Sequence, residues 1–275
     1  MTSTAPLTET ASAPIGDRNA PIGVLDSGLG GLSVVRAMMQ SLPEERFLYY
    51  ADSAYCPYGE RNESFIRRRT LTIAEELESR GAKAIVVACN TACAAALDEV
   101  RVRTTLPVIG LEPAVKPAVA LTKTGRVAVL ATPRTIASTR LATLVERYAG
   151  GIAVDLVPVA DWVGIVERGE FGSFAARQAV ARVVRPVVER GADVLVLGCT
   201  HFPFLHDQIR ASAGADVAIV DSGAAIARRT RHVLQESAML TDRPAAESPL
   251  TFLSSLSDAA AAATQASRML GVRLA

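Results

Sequence analysis

Eight short runs rich in Val, Ile and Leu, separated by longer amphipathic stretches, decide what class of fold this chain can adopt. The runs cover residues 22–25, 46–50, 84–88, 108–110, 126–131, 154–159, 194–197 and 217–220. A strand with one wet face alternates polar and apolar residues, whereas a strand covered on both faces is apolar along its length. The stretches between them, among them Glu63–Arg80, Ala92–Thr104, Thr135–Tyr148 and Phe174–Arg190, carry a helical period. This alternation predicts an α/β fold of parallel βαβ units with helices on both sheet faces.

An internal echo suggests that the fold is built twice. Gly81-Ala82-Lys83-Ala84-Ile85-Val86-Val87-Ala88-Cys89-Asn90-Thr91 resembles Gly191-Ala192-Asp193-Val194-Leu195-Val196-Leu197-Gly198-Cys199-Thr200-His201. Each begins with Gly-Ala after a helical stretch and delivers a cysteine at the end of an apolar strand. A second echo pairs Gly23-Val24-Leu25-Asp26-Ser27-Gly28 with Ala218-Ile219-Val220-Asp221-Ser222-Gly223. Together they predict two pseudo-symmetric α/β domains with a cleft between them. The expected units are a disordered tail over 1–20, a first domain of 21–113 plus 224–275, and a second domain of 114–223.

Composition narrows the partners. The net charge of +1 gives no reason to expect nucleic acid or an anionic membrane as a partner, and Arg67-Arg68-Arg69 reads as the solvated face of a helix. No apolar run approaches the ~18 residues of a membrane span. The first twenty residues lack the apolar stretch of a secretory signal, so a cytoplasmic protein is expected. Four cysteines, at 56, 89, 93 and 199, are too few for a disulfide framework and are expected as free thiols. Cys93 reads as core, and Cys56 as a surface or subunit-contact thiol. Without a Cys-x-x-Cys or His-x-x-x-His pair, a metal site on Cys89, Cys93, Cys199 and His201 is disfavoured.

The chemistry-bearing residues cluster where ligands bind in open α/β sheets, beyond the carboxyl ends of the strands. They are Asp26-Ser27, Asp52-Ser53, Cys89-Asn90-Thr91, Glu112 and Cys199-Thr200-His201. Two half-sites facing each other put Cys89 and Cys199 on opposite walls of one cleft. Such a pair suits removal of a proton from one face of a carbon and its return to the other, one group starting deprotonated and the other protonated. A thiolate at the ordinary thiol pKa costs about 2 kcal/mol to prepare at neutral pH. Asp26 and His201 are the candidates to take or tune the thiol protons, although Asp26 also suits a helix cap. Ser27, Asn90, Thr91 and Thr200 are candidates to hold substrate carboxylates.

Pyridoxal phosphate needs a Schiff-base lysine. None of the three lysines, 83, 116 and 123, stands where such an anchor belongs, so no cofactor is expected. Gly28-Leu29-Gly30-Gly31 departs from both nucleotide-binding glycine patterns and reads instead as a helix N-terminus that receives a substrate carboxylate.

At these residues the sequence resembles the glutamate racemases of the aspartate/glutamate racemase superfamily. The matching segments are Gly23–Gly31, Tyr50-Ala51-Asp52, Pro57-Tyr58-Gly59, Cys89-Asn90-Thr91-Ala92, Gly110-Leu111-Glu112-Pro113 and Gly198-Cys199-Thr200-His201-Phe202-Pro203, in the family's order. The resemblance implies that Cys89 acts on the D enantiomer and Cys199 on the L. It implies that Asp26-Ser27, Tyr58-Gly59, Asn90-Thr91 and Thr200-His201 surround the substrate, and that Glu167 assists Cys199 together with His201. It implies a homodimer that interconverts L- and D-glutamate, with D-glutamate destined for bacterial peptidoglycan. Some members also interact with DNA gyrase. Cys56, directly before Pro57, departs from the family pattern, and Phe252-Leu253-Ser254-Ser255 matches the family's closing strand only loosely. The alternatives are a racemase of aspartate or another acidic amino acid, or a non-catalytic binding protein on the same fold.

Overall fold

The computed structural model describes residues 16–245 and 249–271. Among the described residues, nine strands form two sheets: β1 (Ile22–Asp26), β2 (Phe47–Ala51), β3 (Ala84–Val87), β4 (Val108–Gly110), β5 (Arg126–Ala131), β6 (Ala153–Pro158), β7 (Val194–Leu197), β8 (Ala218–Val220) and β9 (Leu250–Ser254). The first sheet has the order β4-β3-β1-β2-β9 and the second β6-β5-β7-β8, and every pairing is parallel. The central strands are rich in Val, Ile and Leu because helices cover both faces. Ile22, Val24, Ile85, Val86, Val87, Val129 and Leu195 are fully buried.

Numbering each set of strands from one gives a common order. The first sheet runs fourth, third, first, second before β9 joins it, and the second sheet, read from β8, runs the same way. The two-fold repetition expected from sequence is therefore real. Cys89 and Cys199 follow β3 and β7, the third strand of each set. The second echo is a coincidence, since Asp26-Ser27-Gly28 follows the first strand of its set whereas Asp221-Ser222-Gly223 follows the fourth of the other. The true counterpart of Asp26, at the end of β5, is the Ala131-Thr132 corner.

Local chemistry sets the helix boundaries. The expected helix Thr135–Tyr148 is two helices, Pro133–Ile136 and Thr139–Tyr148. Ser138 divides them: its hydroxyl donates to Thr135 O and accepts from Leu141 N, so it closes one turn and caps the next.

The chain returns to the first sheet at its end. Helix Gly223–Glu236 packs on helix Leu32–Ser41, and β9 pairs with β2 from Phe47↔Leu250 to Ala51↔Ser254. Residues 1–15 of the expected disordered tail lie outside the described residues. Residues 17–20 form a turn in which Asp17 O accepts from Ala20 N, while Arg18 O accepts from the buried Lys83 ammonium. Lys83 also forms a buried ion pair with Glu45, which accounts for a lysine at the start of a core strand. Among the described residues no helix is long and apolar enough to cross a membrane.

Candidate active site

Two walls meet beyond the carboxyl ends of the strands. The first is built on β1 and β3. Asp26 ends β1, and one of its carboxylate oxygens accepts from Gly31 N at 2.7 Å, pinning the turn that enters helix Leu32–Ser41. Its other oxygen, Oδ1, accepts from Ser27 Oγ at 3.5 Å, and that hydroxyl faces Cys89. The proposed cap and the proposed proton partner are thus one residue with two contacts. Burial holds the Asp26 carboxyl above the ordinary carboxylate range, against the lowering effect of His201, the Gly31 amide and Cys89.

Cys89 stands in extended backbone immediately before helix Asn90–Arg103 and is 5% exposed. Its Sγ lies 3.8 Å from Ser27 Oγ. Burial pushes this thiol well up, the Asp26 and Cys199 charges push it further, and the Ala92 amide in the first helical turn pulls it down. Cys89 is therefore a thiol that keeps its proton until a base takes it.

The second wall carries Cys199, 7% exposed, whose Sγ lies 3.7 Å from His201 Nδ1. The other ring nitrogen, Nε2, is 2.6 Å from Glu167 Oε1. Glu167 ends helix Asp161–Glu167, and Trp162 of that helix packs edge-on against Phe202, with 4.8 Å between ring centroids. That contact ties the Glu167 helix to the loop carrying His201. Burial alone would lower the His201 pKa, but hydrogen bonds to Cys199, Cys56 and Glu167 outweigh it and raise it well above the ordinary imidazole value. His201 is held as imidazolium beside Cys199.

The glycine loop has a different use from the one expected. Leu29 N donates to Glu167 Oε1 at 2.6 Å, so the protein's own carboxylate occupies the amide expected to receive substrate. A Cβ at Gly30 would run into the His201 ring, and one at Gly28 would run into the Glu167 carboxylate. These glycines are required for close approach, and they bring the second wall onto the first. Ser33 Oγ adds a bond to Thr200 O at 2.8 Å.

The remaining sequence candidates divide. Asn90 is buried, and its side-chain oxygen has no hydrogen-bond partner, so it is available to a donor brought by a ligand. A void of about 10 Å³, room for roughly one water, touches Asn90, Cys199 and Thr200. Thr91 joins Thr132 and Thr135 in a buried hydroxyl triangle with sides of 3.0–3.2 Å. Thr132 and Thr135 escaped sequence reasoning, and the available signal was the Thr-Pro corner at the end of β5. Gly59 abuts Thr132 from the first wall, 3.1 Å from its nearest atom to a notional Cβ.

Tyr58 is buried, and its hydroxyl donates to Asp52 Oδ2 at 2.6 Å. Arg69 bonds both oxygens of the same carboxylate, so Asp52 anchors the Tyr58 turn and does not face the thiols. Glu112 also lies away from them. It pairs with Arg140 and lines a separate cleft of about 680 Å³ with Lys116 and Asp221. Cys93 is core: its thiol donates to Val87 O and accepts from Leu111 N. Cys56 is not a surface thiol. It is half-buried against His201 and Glu167, where burial pushes it up to about 12.

Residues 22–230 match the family model described as Asp/Glu/Hydantoin racemase. The chain is 52% identical to a glutamate racemase of Methylococcus capsulatus over 82% of its length and 83% of the relative's. The crystal structure of a glutamate racemase isoform from Bacillus anthracis superposes with a TM-score of 0.85 at 32% identity, covering 94% of this chain and 96% of that one. The Escherichia coli glutamate racemase, solved with L-glutamate and an activator, UDP-MurNAc-Ala, gives 0.81 at 34% identity over 92% and 94%. The chain belongs to the Asp/Glu/hydantoin racemase family, within its glutamate racemases, and is an amino-acid racemase.

Proposed function

We propose that the protein interconverts L- and D-glutamate without a cofactor, by a two-thiol mechanism in which Cys199 serves the L face of the α-carbon and Cys89 the D face. The observation that carries this reading is the pair of buried cysteines at the ends of equivalent strands, Cys89 linked through Ser27 to the buried Asp26 and Cys199 Sγ 3.7 Å from His201 Nδ1, with the Cys199 charge felt at Cys89. In the L-to-D direction Cys199, as thiolate paired with the His201 imidazolium, takes the α-proton, and Cys89 returns one to the opposite face. Cys89 is suited to that second step because its surroundings keep it protonated. In the reverse direction Asp26 takes the Cys89 proton first, and His201, oriented by Glu167, supplies the proton that Cys199 donates.

The substrate's ammonium group is the donor that the Asn90 oxygen lacks. Ser27, Thr200 and the amides of the Tyr58-Gly59 and Asn90-Thr91 turns hold the two carboxylates, and Thr91 does so as part of its hydroxyl triangle. With both thiols less than a tenth exposed, substrate entry requires the walls to part. The two units that part are residues 21–113 with 224–275, and residues 114–223. The protein is a cytoplasmic homodimer, and its D-glutamate supplies peptidoglycan synthesis.

Circular dichroism of initial rates on L-glutamate and L-aspartate tests the substrate. A kcat/KM for glutamate at least about 100-fold higher is expected, since an acidic chain one methylene too short leaves site donors unpaired. Equal rates, or faster turnover of aspartate, would contradict the assignment.

A further inference from the structure

Cys56 carries no proton to or from the substrate in the mechanism above, though it touches His201, and it stands in a constellation with a chemistry of its own. Its Sγ, a Glu167 carboxylate oxygen and a His201 ring nitrogen all lie within 4.8 Å of one another. The three donors come from separate segments: the turn after β2, the end of helix Asp161–Glu167, and the loop after β7. Gly28 leaves the space they share, since a Cβ there would lie 2.9 Å from Cys56 Sγ and collide with Glu167.

We infer that Cys56, Glu167 and His201 form a binding site for a borderline-to-soft divalent cation, Zn²⁺ or Cd²⁺, and that its occupancy shuts off racemisation. One sulfur, one nitrogen and one oxygen with a fourth position open is a donor set for Zn²⁺ or Cd²⁺, and not for Ca²⁺ or Mg²⁺, which take oxygen ligands. Tetrahedral zinc with bonds of about 2.0–2.3 Å places its ligand atoms roughly 3.3–3.6 Å apart. The His201–Glu167 pair, now at 2.6 Å, opens by about 1 Å or less, and the thiol closes in by little more than about 1 Å.

Binding releases the Cys56 proton to solvent, together with the proton shared by His201 and Glu167, so affinity rises with pH. A metal on His201 fixes the ring whose other nitrogen faces Cys199, and the proton traffic of that wall stops. Only the shut-off rests on the proposed role of His201, and metal binding itself does not.

The full-length protein, stripped with a chelator, is titrated with Cd²⁺ while thiolate-to-metal ultraviolet absorption is recorded, and racemase rates are measured against Zn²⁺. Cys56→Ser and Cys56→Ala are taken in parallel, and the inhibition of each protein is referred to its own metal-free rate. Wild type should show one Cys56-dependent equivalent of absorption. Both variants should lose it, and their inhibition should require at least tenfold more Zn²⁺. No absorption in wild type, or equal absorption and inhibition in all three proteins, would overturn the site. Cys56-dependent absorption without inhibition would keep the site but overturn the shut-off, and would count against His201 as the partner of Cys199.

Discussion

The two thiols stand at the ends of equivalent strands but in unlike surroundings. Cys89 draws its partners from its own half: Asp26 and Ser27 from the end of β1, and the Ala92 amide from the helix it precedes. Cys199 depends on both halves, because its partner His201 leans on Gly30 and the Glu167 behind it is gripped by Leu29 N. The repeated fold supplies two matching positions, and the acid–base equipment at each was furnished separately. One wall carries a buried carboxyl, the other a carboxylate–imidazole pair. On the proposed mechanism, proton exchange at the two faces of the α-carbon is therefore open to separate damage.

The strongest way to break the comparison is to remove one proton partner at a time. His201→Asn is expected to cost about 10²–10⁴-fold in α-proton exchange of L-glutamate, and Asp26→Asn a similar factor in exchange of D-glutamate, the range for loss of a general acid or base. Haldane balance ties the two directions of overall kcat/KM together. The asymmetry therefore has to be read from α-proton exchange of each enantiomer under single-turnover conditions. Equal loss for both enantiomers in both variants would erase the distinction between the walls.

A smaller change sharpens the claim that the Cys199 wall is assembled across the halves. Gly30→Ala places a methyl group against the His201 ring. Exchange of L-glutamate should fall at least about tenfold, with exchange of D-glutamate changed less. Equal effects would mean that the loop serves both walls alike.

The smallest expected effect is on stability. His201 carries a pKa raised in the folded state, so its contribution is fully present below the ordinary imidazole pKa and is lost as pH rises through the raised value. The stability gap between wild type and His201→Asn, measured by urea unfolding, should narrow as pH rises through that window. A gap that widens with pH would contradict an imidazolium at this position.

Much of this architecture was legible in the sequence for a simple physical reason: strands buried on both faces have almost no polar positions, as in β1, β3, β5 and β7, and even the more exposed edge strand β6 keeps Val154, Leu156 and Val157 around its Asp155. The ninth, Leu250–Ser254, joins an edge and leaves Thr251 exposed, so it lacks that mark. The Cys89 and Cys199 segments could be aligned because a buried strand and its corner are both local features. The Asp-Ser-Gly echo misled because any parallel strand can end in a small polar corner, and only the sheet order separates the first strand of a set from the fourth. The glycine loop was read as a receptor for a substrate carboxylate because nothing local to residues 28–31 reveals that Glu167, well over a hundred positions later, fills it. Cys56 escaped for the same reason, since its neighbours come from two distant segments.

The central claim, one thiol for each face, is tested most directly by α-proton exchange in heavy water with Cys89→Ser and Cys199→Ser, each given pure L- or D-glutamate. Racemisation should fall by at least about a thousandfold in both variants, within the range for removal of a general acid or base. Cys89→Ser should still exchange deuterium into L-glutamate without inversion, and Cys199→Ser into D-glutamate. Wild-type-like turnover in either variant, or exchange of both enantiomers by the same remaining thiol, would contradict the account.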